Sequence, residues 1–306
     1  MISRRLVMAA LCAATLPLAA PATAQTDDWR RAHPELVFSV TPSENSAGIL
    51  DRYAPFVAYL SRALGVKVTM RVANDYAAVI EGLRTGQVHF AHLGPAAYAR
   101  AAIVTQNGVE PLVTMANSQG AIGYYSVLYV RAGDPAQNLT DLRGRNLCLV
   151  DPNSASGNNV PRFAMSKLGI EPEAHFGKIV YSGSHENAVI GLSQGTCDAA
   201  FNWWNTERES NLLRMAAKNM ARAEDFRIIF KSDLIPGSPV AMMRAMPDAA
   251  RAAVRQAFVA AATADREAFL RISDGNATGY VPVKTEDYQV MIDLLRFIDQ
   301  MRRRRS

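Results

Sequence analysis

The segment Asp151 to Pro161 carries small hydroxyl and amide residues where a strand is expected to give way to a helix. It reads DPNSASGNNVP, with the apolar run NLCLV before it and VPRFAMSKLG after it. The first turn of a helix presents unpaired N–H groups and the positive end of the helix dipole. Ser154 and Ser156 add hydroxyl donors, and Gly157 lets a ligand approach the backbone closely. The pattern predicts an anion site of the phosphate-binding type, without the lysine of a Walker loop, and an ordinary helix cap is the alternative.

Two later junctions carry polar and aromatic residues at the same kind of position. In GSHENA (183–188), His185 can donate to an anion and become cationic near neutral pH, or serve as a structural hydrogen-bonding residue. In FNWWNTERES (201–210), Trp203, Trp204 and Glu207 suit a bound cation, with packing and a solvated carboxylate as the alternatives. Since parallel strands end at one edge of a sheet, we expect these junctions to face one ligand.

The first half of the chain has matching junctions in NDYAAV (74–79) and HLGPAAY (92–98). Tyr76 at the first junction, and Tyr124 in the later stretch GYYSVL, each offer a phenol hydrogen. His92 begins the second junction, and it either lines the cleft or packs beneath it.

These residues need a scaffold in which strands alternate with helices. Strands are predicted at 36–42, 66–73, 88–93, 142–150, 178–182, 197–202, 226–232 and 240–246, and helices at 50–64, 76–87, 96–104, from about 156, at 186–195 and from 249. In the first helix, apolar residues at 50, 53, 57, 60 and 64 form one face, and Gly65 ends it. The alternation predicts parallel α/β sheets in two units. Extended segments around 123–130 and 230–240 are expected to carry the chain between the units, leaving a cleft for a small molecule.

The N-terminal segment has the pattern of a secretory signal peptide. MISRR supplies two arginines, LVMAALCAATLPLAA an apolar core, and Ala22-Thr23-Ala24 a cleavage site, so residues 1–24 are expected to be removed. The apolar core is shorter than the roughly 20 residues that span a bilayer, and an uncleaved anchor is the alternative. The mature protein is therefore expected in the periplasm.

The charge of the mature chain argues against nucleic-acid binding. The full sequence has a formal charge of +5, and loss of Arg4 and Arg5 leaves +3. Four of the remaining positive charges are Arg302 to Arg305 at the end, so the body is nearly neutral and lacks the basic surface that nucleic acids require.

Two cysteines, Cys148 and Cys197, remain after cleavage. Each lies in or beside an apolar run, so two buried thiols are the expected state. A disulfide is the alternative, because an exported protein lives where disulfides form.

The sequence contains no readable catalytic or metal-binding constellation. A Ser156–His185 pair resembles a nucleophile with its base, but the serines lie where a helix start suits anion binding. Neither cysteine belongs to a Cys-x-x-Cys or Cys/His cluster. We therefore expect a binding protein without cofactor or metal, and not an enzyme.

Taken in order, the motifs resemble those of the phosphonate-binding proteins of ABC transporters, a family that includes binders of phosphite and phosphate. The motifs are YAPFVAYLSRALG, DYAAVIEGLRTGQVHFAHLGPAAY, GYYSVL, DPNSASG, GSHENA, NTE and SDLIPGSP, and they cover nearly the whole mature chain. The resemblance implies a two-lobed type II periplasmic binding protein fold with a hinge of two crossing strands, which closes on its ligand. Lobe 1 is then 25–123 plus 235–306, and lobe 2 is 124–234. It also implies an ABC permease and ATPase as partners, and we expect a monomer.

The family's functional residues are carried over onto matching positions. Its serine-threonine-serine phosphonate site corresponds to Ser154, Ala155 and Ser156, where the middle hydroxyl is replaced by a methyl group. The site's further phosphonate ligands correspond to Tyr76, Tyr124 and His185. The amine-binding glutamate of the N-T-E motif corresponds to Glu207. Two departures are Ser238, where some relatives have a second acid, and His92, in a strand end that is often aromatic.

A carboxylate in the pocket favours a ligand with its own ammonium group. At about 6 Å and an effective dielectric near 20, Glu207 and a bare phosphonate would repel by roughly 3 kcal/mol. The predicted ligand is therefore an aminophosphonate such as 2-aminoethylphosphonate, with Trp203 and Trp204 as possible cleft walls. Phosphite or phosphate binding, or a role as the ligand-binding partner of a membrane sensor kinase, are the alternatives.

Overall fold

The computed structural model describes residues 28–303, which form two α/β lobes. The strands are β1 Glu35–Val40, β2 Lys67–Val72, β3 Phe90–His92, β4 Val109–Asn117, β5 Tyr125–Arg131, β6 Asn146–Leu149, β7 Lys178–Tyr181, β8 Ala199–Thr206, β9 Glu209–Ser210, β10 Phe226–Lys231, β11 Pro239–Met243 and β12 Ala277–Pro282. The α-helices are α1 Trp29–Ala32, α2 Ser46–Leu64, α3 Tyr76–Arg84, α4 Pro95–Val104, α5 Val160–Lys167, α6 Pro172–His175, α7 His185–Ser193, α8 Asn211–Ala217, α9 Asp248–Ala264, α10 Arg266–Ile272 and α11 Gln289–Arg303. The predicted signal peptide, 1–24, lies outside the described residues.

Each lobe is built on one sheet. The first has the order β12-β4-β11-β3-β1-β2, and the second has the order β10-β5-β8-β6-β7, with β9 paired to β8. The predicted parallel pairing holds for β1 with β2 and β3, and for β6 with β7 and β8. The other strands pair antiparallel, so both sheets are mixed. Strands β4 and β12 were not predicted, although the α/β fold class was.

Helix α2 shows how the sequence pattern becomes packing. The Asn45 side chain accepts a hydrogen bond from the Gly48 N–H and caps the start, while Gly65 ends the helix with a left-handed φ of 67°. The helix begins before the predicted position, and Ile49, not Leu50, faces the core: Leu50 is 48% exposed. Tyr53, Leu60 and Leu64 pack among the buried residues of the first sheet, as the periodicity predicts, whereas at the next predicted position Phe56 is buried and Val57 only partly so.

The chain crosses between the sheets twice, after β4 and after β10. The crossing segments are joined by hydrogen bonds from Tyr124 N to Ile235 O (3.0 Å) and from Ile235 N to Tyr124 O (2.8 Å). Gly123 has a φ of 149°, and a Cβ there would lie 2.9 Å from the Ile235 carbonyl oxygen, so only glycine fits. We keep 25–123 with 235–306, and 124–234, as the proposed lobe boundaries. Among residues 28–303, no helix has the length and apolarity needed to cross a bilayer.

Cys148 and Cys197 form a disulfide, so the expectation of two buried thiols is wrong. Their Cα atoms are 5.7 Å apart. Cys148 lies on β6 and Cys197 just before β8, and these strands pair side by side in the second sheet. The pairing of the two strands sets the distance, and the sequence alone does not show which strands are neighbours.

Replacing both cysteines with alanine is expected to destabilise the second lobe. A cross-link between residues separated by 49 positions restricts the unfolded chain by roughly 4 kcal/mol in the chain-entropy account. Denaturant unfolding of the oxidised protein and of the Cys148→Ala/Cys197→Ala variant measures this difference. Reductant should lower the unfolding midpoint of the native protein and leave that of the variant unchanged; equal midpoints for the two oxidised proteins would contradict the expectation.

Candidate functional site

A cavity of about 190 Å³ lies between the lobes and is lined by both. The first lobe and the crossing segments contribute Thr41, Ser43, Arg52, Tyr53, Tyr76, His92, Tyr124 and Ser238, among others. The second lobe contributes Ser154, Ala155, Ser156, His185, Trp203, Asn205, Glu209 and Arg214. The cavity therefore brings together residues from the strand ends of both sheets.

One end of the cavity is formed by a helix start directly after β6. Residues Ala155–Asn159 make a π-helical turn that continues into α5, so the predicted helix is present but begins with wider winding. Ser154 is the N-cap, and its Oγ accepts a hydrogen bond from the Gly157 N–H at 3.0 Å. The backbone N–H groups of Ala155 and Ser156 come before the first intrahelical bond and remain available to a ligand.

Gly157 holds this turn against the strand that precedes it. The Val150 N–H donates to the Gly157 carbonyl at 3.0 Å. A Cβ at position 157 would lie 2.4 Å from Val150 Cβ and 2.9 Å from Ser154 Oγ. Glycine is therefore needed at position 157 because the strand and the turn are in direct contact. This packing reason adds to the predicted one, which was that a ligand can approach the backbone there.

Two buried tyrosines supply further donors at this end. The phenol of Tyr76, the first residue of α3, lies close to the Ser154 hydroxyl, and the phenol of Tyr124 lies close to Ser156. Burial raises the pKa of both phenols far above its usual value, so both stay protonated. Since Tyr76 belongs to the first sheet's lobe and Ser154 to the second's, this contact spans the cleft.

His185 begins α7 and is 4% exposed. Its Nδ1 lies 2.9 Å from Asn202 Oδ1, and the Asn202 Nδ2 donates to the His185 carbonyl at 2.9 Å. Burial lowers the pKa of the imidazole to about 3, against a weaker opposing effect of the Asn202 bond. The ring is therefore neutral at physiological pH, which removes the cationic role considered from the sequence.

The cavity is also lined by a buried carboxylate, Glu209, that the sequence analysis missed. Glu209 Oε1 accepts a hydrogen bond from Asn205 Nδ2 at 2.7 Å. Its Oε2 is buried and has no hydrogen-bond partner among the described residues. Burial raises the pKa of this carboxyl group. Beside it, the Arg214 guanidinium stacks 4.9 Å from the centre of the Trp203 ring.

The structure does not bring Glu207 and Trp204 to the cavity. They line a separate groove with Lys231, whose Nζ lies 3.8 Å from the centre of the Trp204 ring. Side chains alternate along β8, so Trp203 and Trp204 take opposite faces, and Glu207 is exposed in the turn between β8 and β9. After the turn, β9 runs antiparallel to β8, and its first residue, Glu209, lines the cavity. Glu209 therefore has the position that was predicted for Glu207. Period-two alternation from Trp203 gives Asn205, Glu207 and Glu209, so the sequence pattern does not separate the two glutamates; the turn at 207–208 does.

The remaining predicted residues all line the cavity. They are Ser154, Ala155, Ser156, His185, Tyr76, Tyr124, Trp203, Ser238 and His92. The His92 Nδ1 lies 3.2 Å from the Tyr53 hydroxyl, and burial lowers the pKa of His92 to about 4. His92 is therefore a neutral, hydrogen-bonded wall of the cleft.

Charged side chains connect the lobes along one side of the cavity. Lys218, directly after α8, donates to Glu44 Oε2 at 2.7 Å and lies 3.5 Å from Glu186 Oε1. Arg214 pairs with Asp274 at 2.6 Å, again across the lobes. The side chains of Glu44 and Glu186 are 1% and 2% exposed, so Lys218 lies between one buried carboxylate of each lobe.

Replacing Lys218 with methionine is expected to weaken ligand binding although this residue does not line the cavity. Loss of the ammonium leaves Glu44 and Glu186 facing each other when the lobes meet, which disfavours closure, and we expect roughly tenfold or greater loss of affinity. Calorimetric titration with methylphosphonate or phosphate measures the change. Lys67→Met, which removes a surface pair within one lobe, is the matched control. Equal affinities for Lys218→Met and the native protein would contradict the expectation.

Gly157→Ala is expected to disturb the helix start at Ala155–Asn159 directly. The added methyl group meets Val150, and such overpacking costs about 1–3 kcal/mol and displaces the turn. Oxyanion affinity should therefore fall together with the melting temperature. Gly133→Ala is the control, since a Cβ there has nothing within 4 Å. Equal affinities and equal melting temperatures for Gly157→Ala and Gly133→Ala would contradict the role given to the contact between Gly157 and Val150.

Comparison with known proteins agrees with this architecture. A "Phosphate-import protein PhnD" from Mycolicibacterium smegmatis is 30% identical over 271 residues, covering 83% of this chain and 82% of that protein. The "Phosphonates-binding periplasmic protein" of Escherichia coli is 32% identical over 209 residues, 67% of this chain and 60% of its own length. The crystal structure of a binding protein component of an ABC phosphonate transporter from Pseudomonas aeruginosa matches with a TM-score of 0.76, covering 86% of each chain at 24% identity, which establishes the type II periplasmic binding protein fold.

The family assignment follows from the sequence match. The family described as "ABC transporter, phosphonate, periplasmic substrate-binding protein" matches residues 38–288, most of the chain. Its members are substrate-binding components and not enzymes. The chain therefore belongs to the family of periplasmic substrate-binding proteins of phosphonate ABC transporters.

Proposed function

We propose that this chain delivers an aminophosphonate, such as 2-aminoethylphosphonate, to an ABC permease and its ATPase. The ligand lies in the interlobe cavity with its phosphonate at the helix start and its ammonium at Glu209. The observation that carries the proposal is the unpartnered carboxylate oxygen of Glu209 in the same cavity as the oxyanion donors.

The phosphonate end is supported by convergent donors. The N–H groups of Ala155 and Ser156, the hydroxyls of Ser154 and Ser156, and the phenols of Tyr76 and Tyr124 meet at one end of the cavity. None of these donors carries a formal charge. An oxyanion there is stabilised by hydrogen bonds and the helix dipole, which hold a negative group without a lysine or arginine ligand.

The amine end is supported by an unsatisfied buried acceptor. A carboxylate oxygen without a partner loses its hydration on burial, which costs about 1–3 kcal/mol or more for a charged group. A ligand ammonium supplies the missing donor and stabilises the ionised form of Glu209, whose pKa burial otherwise raises. In our proposal Glu209 replaces Glu207 as the amine ligand, because Glu207 lies outside the cavity.

The charges around Glu209 agree with a cationic group on the ligand. Arg52 pairs with Glu44 at 2.8 Å, and Arg214 with Asp274 at 2.6 Å. The two guanidinium groups thus neutralise two carboxylates, and the ionised Glu209 remains as one extra negative charge. A single ammonium balances it.

The cavity also has room for more than an inorganic oxyanion. Its volume of about 190 Å³ corresponds to about six water molecules at liquid density. The two carbons and the nitrogen of 2-aminoethylphosphonate extend from the helix start along Trp203 toward Glu209.

Phosphate or phosphite is the second candidate. It is favoured by the 30% identity to the phosphate-import protein over 82% of that protein's length, and by Ser238, which places no second carboxylate in the cavity. With such a ligand, Glu209 makes no contact with the ligand, and its buried carboxyl group takes up a proton.

Calorimetric titration of the mature protein separates the two candidates. We expect 2-aminoethylphosphonate to bind more tightly than ethylphosphonate, phosphite and phosphate. Glu209→Gln should lose about ten- to a hundredfold in affinity for the amine compound, the strength of a hydrogen bond to a charged group, and keep its affinity for ethylphosphonate.

Glu207→Gln is the matched control, since it removes the same charge two residues away and outside the cavity. It should bind all four compounds as the native protein does. Equal or tighter binding of phosphate or phosphite by the native protein would reject the aminophosphonate and make the protein an inorganic-oxyanion carrier. A selective loss in Glu207→Gln would reject Glu209 as the amine ligand.

A further inference from the structure

The hydrogen bonds around Asn202 fix which nitrogen of His185 carries a proton. The Asn202 Oδ1 accepts a hydrogen bond from the Trp203 N–H at 3.0 Å, and its Nδ2 donates to the His185 carbonyl at 2.9 Å. The amide is therefore oriented by two backbone groups. Because an amide oxygen only accepts, the His185 Nδ1 at 2.9 Å must be the donor.

A neutral imidazole with its proton on Nδ1 presents a lone pair at Nε2. His185 is 4% exposed and lines the cavity, so a ligand that fills the cavity displaces water from Nε2 and must supply a donor to it. The charged group that acts on it is the Arg214 guanidinium of α8, which opposes a second proton on the ring. The other titratable groups at this end are the phenols of Tyr76 and Tyr124, which remain protonated and donate.

We propose that His185 accepts a hydrogen bond from a P–OH group of the ligand, so that the site selects the singly protonated phosphonate and rejects sulfonates. The inference rests on the proposed function and adds the protonation state and a specificity residue. The bond is P–O–H to Nε2, with the proton staying on the ligand. The remaining phosphonate oxygens accept from the helix start and the tyrosines.

A sulfonate has the same tetrahedral shape and a single negative charge but no proton to donate. Its oxygen would place a lone pair against the lone pair of Nε2. A fully deprotonated phosphonate meets the same repulsion. The uncharged donors of Ala155, Ser156 and the tyrosines bind any of these oxyanions, so His185 supplies the discrimination among them.

The direction of the pH dependence follows. Above the second pKa of the phosphonate, the singly protonated form falls tenfold for each pH unit, and affinity falls with it. Below that pKa the affinity is level, because the neutral His185 takes up no proton in this range. Proton uptake alone does not distinguish this arrangement from a doubly protonated His185 that donates to a dianion, and the sulfonate comparison makes that distinction.

Calorimetric titration with methylphosphonate and with methanesulfonate, at pH values below and above the second pKa of methylphosphonate, tests the proposal. In the native protein, methanesulfonate should bind about ten- to a hundredfold more weakly, the effect of leaving a buried acceptor unmatched. In His185→Gln, whose amide can present either its oxygen or its NH₂ group, the difference between the two ligands should narrow to a few-fold. Phosphorus NMR of methylphosphonate bound to the native protein should show the monoanion above its solution pKa.

Each outcome decides between the alternatives. Binding of methanesulfonate within a few-fold of methylphosphonate, or a dianion signal in the phosphorus spectrum of the native complex, overturns the acceptor role of His185 and leaves the proposed function intact. Absence of binding by phosphonates, phosphite and phosphate alike rejects the proposed function and this inference with it. The NMR measurement needs no variant, so a His185→Gln protein that fails to fold leaves the proposal testable.

Discussion

The proposed oxyanion site depends on a helix start that is buried without a complementary charge of its own. Its first N–H groups have no intrahelical partner, and burial makes such donors costly until an acceptor arrives. Their position is fixed by contact with the preceding strand: the Val150 N–H donates to Gly157, and Gly157 leaves no space for a Cβ. Two residues before Val150, Cys148 is bonded to Cys197 and joins β6 to the start of β8. The disulfide therefore supports the same strand that carries the oxyanion turn, and stability and binding share one local structure.

Closure of the cleft presents the opposite problem, because it brings charges of one sign together. Glu44 and Glu186 come from different lobes and are both almost fully buried, and Lys218 lies between them. Glu186 also accepts hydrogen bonds from the Asn45 backbone and side chain, at the cap of α2. The lobes also make an apolar contact, with Phe163 of α5 against Phe297 of α11 at 5.5 Å between ring centres. The lobes thus meet through both ion pairs and an aromatic contact.

The sequence carried enough information for the fold class, the oxyanion turn and most of the cavity. Those features depend on local patterns: apolar periodicity for α2, strand-to-helix junctions for Tyr76 and His185, and the small residues of 154–157. The features that the sequence did not predict depend on which strands are neighbours in the sheets. Strands β4 and β12 pair antiparallel at long range, and the Cys148–Cys197 bond needed the β6–β8 pairing. The wrong assignment of Glu207 has a different origin. Glu207 was chosen by matching the N-T-E motif, whereas the pairing of the two-residue strand β9 with β8 decides which glutamate reaches the cavity.

The two acceptors in the cavity together define the charge of the ligand that fits. Glu209 calls for a donor that carries positive charge, and the Nε2 of His185 calls for a donor on the phosphonate itself. An aminophosphonate with one phosphonate proton satisfies both, and it has an ammonium and a single negative charge, so its net charge is zero. Transfer of a net-neutral ligand into a closed cavity avoids the large desolvation cost of an isolated ion. The backbone donors are common to all oxyanions, so in our proposal selection among them lies with two groups that accept hydrogen bonds from the ligand, the Glu209 carboxylate and the Nε2 of His185.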